Sequence, residues 1–196
     1  MSNILLFSDL TKTNESTILN ILFPKTDTRK SFVYMPSSGV LGAEDYILQW
    51  KDIAKKYGYE FSVIDNTSIN PHESRKLLNV DVMLISGGNT IQLLNNLRKS
   101  GLDKAIVEFI HRQDVTLSGF SAGALVLTPT IAISNLTDID ESLGETSNLN
   151  GLGIVDFELL PHYKKQLHET LLYEYRKTTD NQVREMNDEE YILLSI

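Results

Sequence analysis

Residues 119–123 read Gly-Phe-Ser-Ala-Gly. They match the G-x-S-x-G pattern, in which a sharp strand-to-helix turn lifts a serine above the carboxyl edge of a parallel sheet. A serine so placed attacks a carbonyl carbon once a neighbouring base takes its proton, so Ser121 is the candidate nucleophile. Val115-Thr116-Leu117 supplies a strand before the turn, and Ala124-Leu125-Val126-Leu127 a helical run after it that Pro129 stops. Gly119 and Gly123 stand where a Cβ would meet the neighbouring strand or helix. The same letters fit an ordinary turn whose serine caps a helix, but the strand before and the helix after favour a nucleophile.

Two further turns carry possible chemistry. Ser86-Gly87-Gly88-Asn89-Thr90 joins the apolar run 80–85 to a helical period. A Gly-Gly turn at that place frees backbone N–H groups for an anion or a developing oxyanion, unless it is only a tight turn needing positive φ. His162 follows Leu160-Pro161 at the end of the run 154–160, on a rigid turn facing the cleft. It is the best placed of the four histidines to act as a base; His72 and His111 read as surface residues, and His168 as a helical residue facing water. The segment 130–149 is acidic, with Asp138, Asp140, Glu141 and Glu145, and such a run is usually a solvated loop. Neither a Walker loop, G-x-G-x-x-G, H-E-x-x-H nor a carboxylate–histidine cluster is present, so no cofactor and no metal are expected.

The elements that must position these residues alternate strand and helix. Apolar runs at 4–7, 32–35, 61–64 and 80–85 read as strands buried on both faces. Between them Ile18, Leu19, Ile21 and Leu22 mark one helix. Ala43, Tyr46, Ile47, Trp50, Ile53, Ala54 and Tyr57 mark a longer one closed by Gly58, with Trp50 in the core. Pro71 opens a short helix, Ile91, Leu94 and Leu97 lie on another, and Leu102, Ile106, Phe109 and Ile110 on the next. Residues 131–133 read as a short extended piece, 154–160 as a strand, and 191–196 as a last strand whose abrupt end suggests a missing tail.

The chain has 196 residues, 41% of them hydrophobic, with no linker or repeat. One α/β domain spanning 1–196 is therefore expected. A net charge of -8 argues against a nucleic-acid or anionic-membrane surface, which needs clustered Lys and Arg. Zero cysteines leave no disulfide or thiolate metal site. With no signal-peptide pattern at the start and no run long enough to span a membrane, a cytoplasmic place is expected.

Three stretches together resemble the peptidase E (aspartyl dipeptidase) and cyanophycinase family of serine peptidases. They are I-S-G-G-N-T-I-Q-L-L at 85–94, S-G-F-S-A-G-A at 118–124 with P-T-I at 129–131, and L-P-H ending at His162. The resemblance covers most of the chain and weakens after His162. It implies a three-layer α/β/α fold with a mostly parallel sheet, like that of class I glutamine amidotransferases (flavodoxin-like). It also implies Ser121 as nucleophile, His162 as general base, and the backbone of Gly88 and Ala122 as oxyanion hole, with Asn89 beside them at the substrate. The sequence departs from the family pattern twice. Where peptidase E has its acid directly after T-N, this chain has Ser134-Asn135-Leu136, which shifts the expected acid to Asp138, with Asp140 and Glu141 as reserves. After His162 no arginine equivalent to the family's Asp-binding one can be placed, so Asp-X specificity stays open.

The expected activity is that of a serine exopeptidase of the dipeptidase kind, acting on short peptides through an acyl-enzyme on Ser121, as a monomer or homodimer. An esterase or amidase using the same turn, and a non-catalytic member binding a small anion at Gly87-Gly88, remain the alternatives.

Overall fold

The computed structural model describes residues 1–26, 28, 30–136 and 148–196. Five parallel strands and one antiparallel strand form the main sheet. In chain order these are β1 (Asn3–Phe7), β2 (Ser31–Met35), β3 (Glu60–Val63), β4 (Val82–Ile85), β5 (Thr116–Phe120) and, after two strands set apart, β8 (Tyr191–Ser195). Their spatial order is β3-β2-β4-β5-β1-β8, with β8 the antiparallel edge. From β1 the chain moves to β2 and on to the edge at β3, then turns back to place β4 and β5 between β2 and β1. The connections after β1 and β2 run over one face of the sheet and that after β4 over the other, which opens a crevice at the carboxyl ends of the strands.

The period of two along each strand sends alternate side chains to opposite faces. Leu5 and Phe7 of β1, with Phe32 and Tyr34 of β2, pack against α1 (Glu15–Leu22) and α2 (Glu44–Lys56). Ile4, Leu6, Val33 and Met35 face the other way, into a core shared with α4 (Thr90–Ser100) and α5 (Leu102–Ile110). Two cores on two faces of one sheet make a three-layer α/β/α fold. Trp50 is buried on α2 against Phe32 and Tyr34. The short α3 (Pro71–Lys76) begins at its proline, and His72 and His111 are exposed as expected.

Three stretches differ from expectation. Residues 132–136 form a 3-10 turn rather than an extended piece, because the Thr130 hydroxyl accepts from Ala132 N and Ser134 N bonds back to Ile131 O. The run 154–160 is a strand only at β6 (Phe157–Leu160), since the amides of Ile154 and Val155 are both drawn to Leu127 O. Nor does β6 join the main sheet: it pairs in parallel with β7 (Gln182–Glu185) as a separate two-stranded sheet. On α7 (Lys165–Tyr175), His168 is half-buried, and its Nδ1 accepts the Lys164 amide at the helix start, an orphan donor's partner rather than a water-facing group. Among the described residues no helix is long and apolar enough to cross a membrane.

Candidate active site

Ser121 follows β5 and precedes the short α6 (Ala122–Leu125), with φ 50° and ψ -118°. A non-glycine residue at positive φ is strained, and here the strain is held from several sides. Ser121 N donates to Phe7 O at 3.0 Å, and Ser121 O accepts from Ala124 N and Leu125 N. The flanking glycines are required by close backbone approach. A Cβ on Gly119 would lie 2.4 Å from Gly123 O, and one on Gly123 would lie 2.2 Å from Ile85 O. The turn therefore fits only where both neighbours lack a side chain, and it leaves Ser121 half-exposed.

His162 also has positive φ, at 55°. Its amide donates to Ser8 Oγ at 3.1 Å, and that hydroxyl donates onward to Met186 O at 2.9 Å. So held, the ring places Nε2 2.9 Å from Ser121 Oγ, within the reach a general base needs.

The opposite ring nitrogen, Nδ1, is 2.5 Å from Asp188 Oδ1. Asp188 was not a sequence-based candidate; the expected acid, Asp138, and its reserves Asp140 and Glu141 lie outside the described residues. The position remote from Ser121 is filled by a carboxylate because β6 and β7 run parallel in the register Leu160↔Glu185. Parallel neighbours end side by side, so His162, two residues past one strand, meets Asp188, three residues past the other.

A second connection fixes Asp188. Asn14 stands at the N-cap of α1 yet makes no cap bond to its own helix. Its Nδ2 donates instead to Asp9 O at 3.0 Å and Asp188 O at 3.1 Å, and its Oδ1 accepts from Thr11 N at 2.8 Å. Asn14 is buried, so Asn14→Ala would strand two carbonyls and one amide. The expected loss is about 1–3 kcal/mol, seen as a melting temperature lower by roughly 2–4 °C per kcal/mol. An unchanged melting curve would show that water replaces the amide freely.

The Gly-Gly turn faces the same cleft. Gly87 O accepts from the hydroxyls of Ser37, at 2.7 Å, and Ser86, at 2.9 Å. The N–H of Gly88 is trans to that carbonyl across one planar peptide, so it points away from those hydroxyls. Gly88 has φ 142°, and a Cβ there would lie 2.0 Å from Ser37 Oγ, which its bond to Gly87 O holds in place. Gly88→Val is therefore expected to lower the melting temperature and to reduce kcat by roughly a hundredfold, the effect of losing one oxyanion donor. A stable and fully active variant would mean that the turn is only a turn. Ala122 begins α6, where the first helical amides have no partner within the helix. The side-chain oxygen of Asn89 accepts from Gln92 N at 2.7 Å and caps α4.

The cleft holds about 440 Å³, and its lining includes Asp9, Tyr34, Ser37, Tyr46, Phe120, the Gly87-Gly88 turn, Ser121 and His162. Burial pushes the Tyr34 hydroxyl above the usual phenol range, a smaller opposing pull coming from its hydrogen bond with Ser86. It is thus a neutral donor at physiological pH.

A strained serine at the carboxyl edge of a parallel sheet, bonded to a histidine that is bonded to a carboxylate, defines the serine-hydrolase class of site. Residues 4–195 match the family described as peptidase family S51, and the chain belongs to that family. It is 36% identical over 104 residues to the uncharacterized peptidase Lmo0363 of Listeria monocytogenes, a match covering 51% of this chain and 50% of that protein. Lin0382 of Listeria innocua, also an uncharacterized peptidase, is 30% identical over 155 residues, 76% of this chain and 74% of its own. Peptidase E of Citrobacter koseri is 29% identical over 72% of this chain and 58% of its own length. The chain thus spans about half the length of the first of these relatives. In fold it is similar to a candidate peptidase E from Listeria monocytogenes EGD-e, with TM-score 0.77, 24% identity and 99% and 94% of the two chains covered.

Proposed function

We propose that this protein is a serine exopeptidase that hydrolyses short peptides through an acyl-enzyme on Ser121. The observation that carries the reading is the relay Ser121 Oγ, His162 Nε2, His162 Nδ1, Asp188 Oδ1, at 2.9 and 2.5 Å. In the proposed reaction Ser121 Oγ attacks the scissile carbonyl carbon while His162 takes the hydroxyl proton. The amides of Gly88 and Ala122 receive the oxyanion. The intermediate collapses as His162 returns the proton to the leaving amine, and water, activated by the same ring, then frees the acyl group. Asp188 keeps Nδ1 protonated and stabilises the imidazolium.

A cleft of about 440 Å³ matches a ligand of a few residues rather than a long chain. Membership of family S51 supports peptide over ester substrates. The test is labelling by a fluorophosphonate, expected to modify Ser121 in the wild type and nothing at this site in Ser121→Ala, together with rates on a dipeptide panel and matched esters. An unlabelled serine would leave only an anion-binding protein, and rates confined to esters would make it an esterase.

A further inference from the structure

The peptidase reading leaves the charge of the substrate undecided, and the cleft walls bear on it. Among the described residues lining the cleft there is no lysine or arginine, and besides His162 the ionisable group of charged type is the Asp9 carboxylate. Asp9 is close to the nucleophile by register. Phe7 pairs with Phe120 across parallel β1 and β5, so Ser8 lies beside Ser121 and Asp9 one residue beyond. Asp9 and Ser121 line the same cleft, so a short peptide bound at the serine presents its neighbouring groups to the wall that carries the Asp9 carboxylate.

Its backbone is fixed. Ser8 is buried between Met186 O and the His162 amide, and Asp9 O is held by Asn14 Nδ2. One carboxylate oxygen, Oδ1, accepts Leu10 N at 2.8 Å, which orients the group and leaves the other oxygen for a donor from outside. The remaining polar wall groups include the hydroxyls of Ser37, Ser38, Tyr34 and Tyr46. These can accept from an ammonium but cannot neutralise a second carboxylate.

We infer that Asp9 forms a subsite for an ammonium group, and that the preferred substrates are short peptides with a cation next to the scissile bond. Two sources share that chemistry: the free α-amino group of an N-terminal residue, or a basic side chain. An acidic N-terminal side chain would instead face Asp9 as a like charge with no counter-ion in the described wall. The inference rests on the peptidase reading for the word substrate, but its test is binding and needs no turnover.

Calorimetry on the Ser121→Ala protein would compare Ala-Ala, N-acetyl-Ala-Ala, N-acetyl-Lys-Ala and Asp-Ala, with and without Asp9→Asn. One ammonium ligand, Ala-Ala or N-acetyl-Lys-Ala, is expected to bind about tenfold more tightly than N-acetyl-Ala-Ala, the scale of one charge-assisted bond at a partly solvated site. Tighter Ala-Ala identifies the α-amino group, and tighter N-acetyl-Lys-Ala a basic side chain. Asp9→Asn should reduce that preference to less than twofold. A preference that survives Asp9→Asn, no preference, no binding of any of the four, or tightest binding of Asp-Ala overturns the ammonium subsite. Fluorophosphonate labelling of Ser121 in the wild type reports separately on the peptidase reading, so either can fail while the other stands.

Discussion

Ser121→Ala is expected to lower kcat on any cleaved peptide by roughly four to six orders of magnitude, because nucleophile and base act as one unit. Stability should change by less than about 1 kcal/mol, since a half-exposed hydroxyl contributes little packing. The backbone makes a sharper forecast. At φ 50° any side chain at position 121 is strained, so Ser121→Gly should be equally inactive yet more stable than the wild type by about 1 kcal/mol. Kinetics and thermal melts on the two variants check both halves. A variant without the hydroxyl that keeps most of its peptidase activity would refute the mechanism. A glycine variant no more stable than alanine would show that the turn is held without strain.

Replacing Asp188 by Asn should reduce kcat by roughly three to four orders of magnitude while leaving the fold intact. A carboxylate at His162 Nδ1 fixes the tautomer in which Nε2 can accept the Ser121 proton, whereas an amide can donate to Nδ1 and favour the wrong one. The pair is partly exposed, with side-chain accessibilities of 29% for His162 and 38% for Asp188, so its contribution to stability is small. Asp138→Asn is the matched control. If Asp188 is the acid, the Asp138 variant stays near wild type. A crippled Asp138→Asn beside an active Asp188→Asn would return the role to the segment after the serine turn, and two active variants would mean a Ser121–His162 dyad.

The difference between these two carboxylates marks what sequence alone could determine. The serine turn was legible because its demands are local. A Cβ on Gly119 or Gly123 collides with backbone no more than a strand away, and apolar runs on β1, β2, β4 and β5 announce a sheet buried on both faces. The Gly87-Gly88 turn and His162 were legible as turns at strand ends, although the side chains that hold them, Ser37 and Ser8, lie far off in the chain. Asp188 carries no such mark. It lies 26 residues from His162, after a polar strand, Gln182–Glu185, whose pattern reads as loop because much of that strand faces solvent. Only the parallel pairing of β6 with β7, and the reach of Asn14 from the far side of the sheet to Asp188 O, bring the carboxylate to the ring. Periodicity and turn residues act within a few positions of themselves and so specify elements. Which strand ends meet is decided by pairing across the whole chain and by side-chain bonds to distant backbone, and that is where the third member of the relay was chosen.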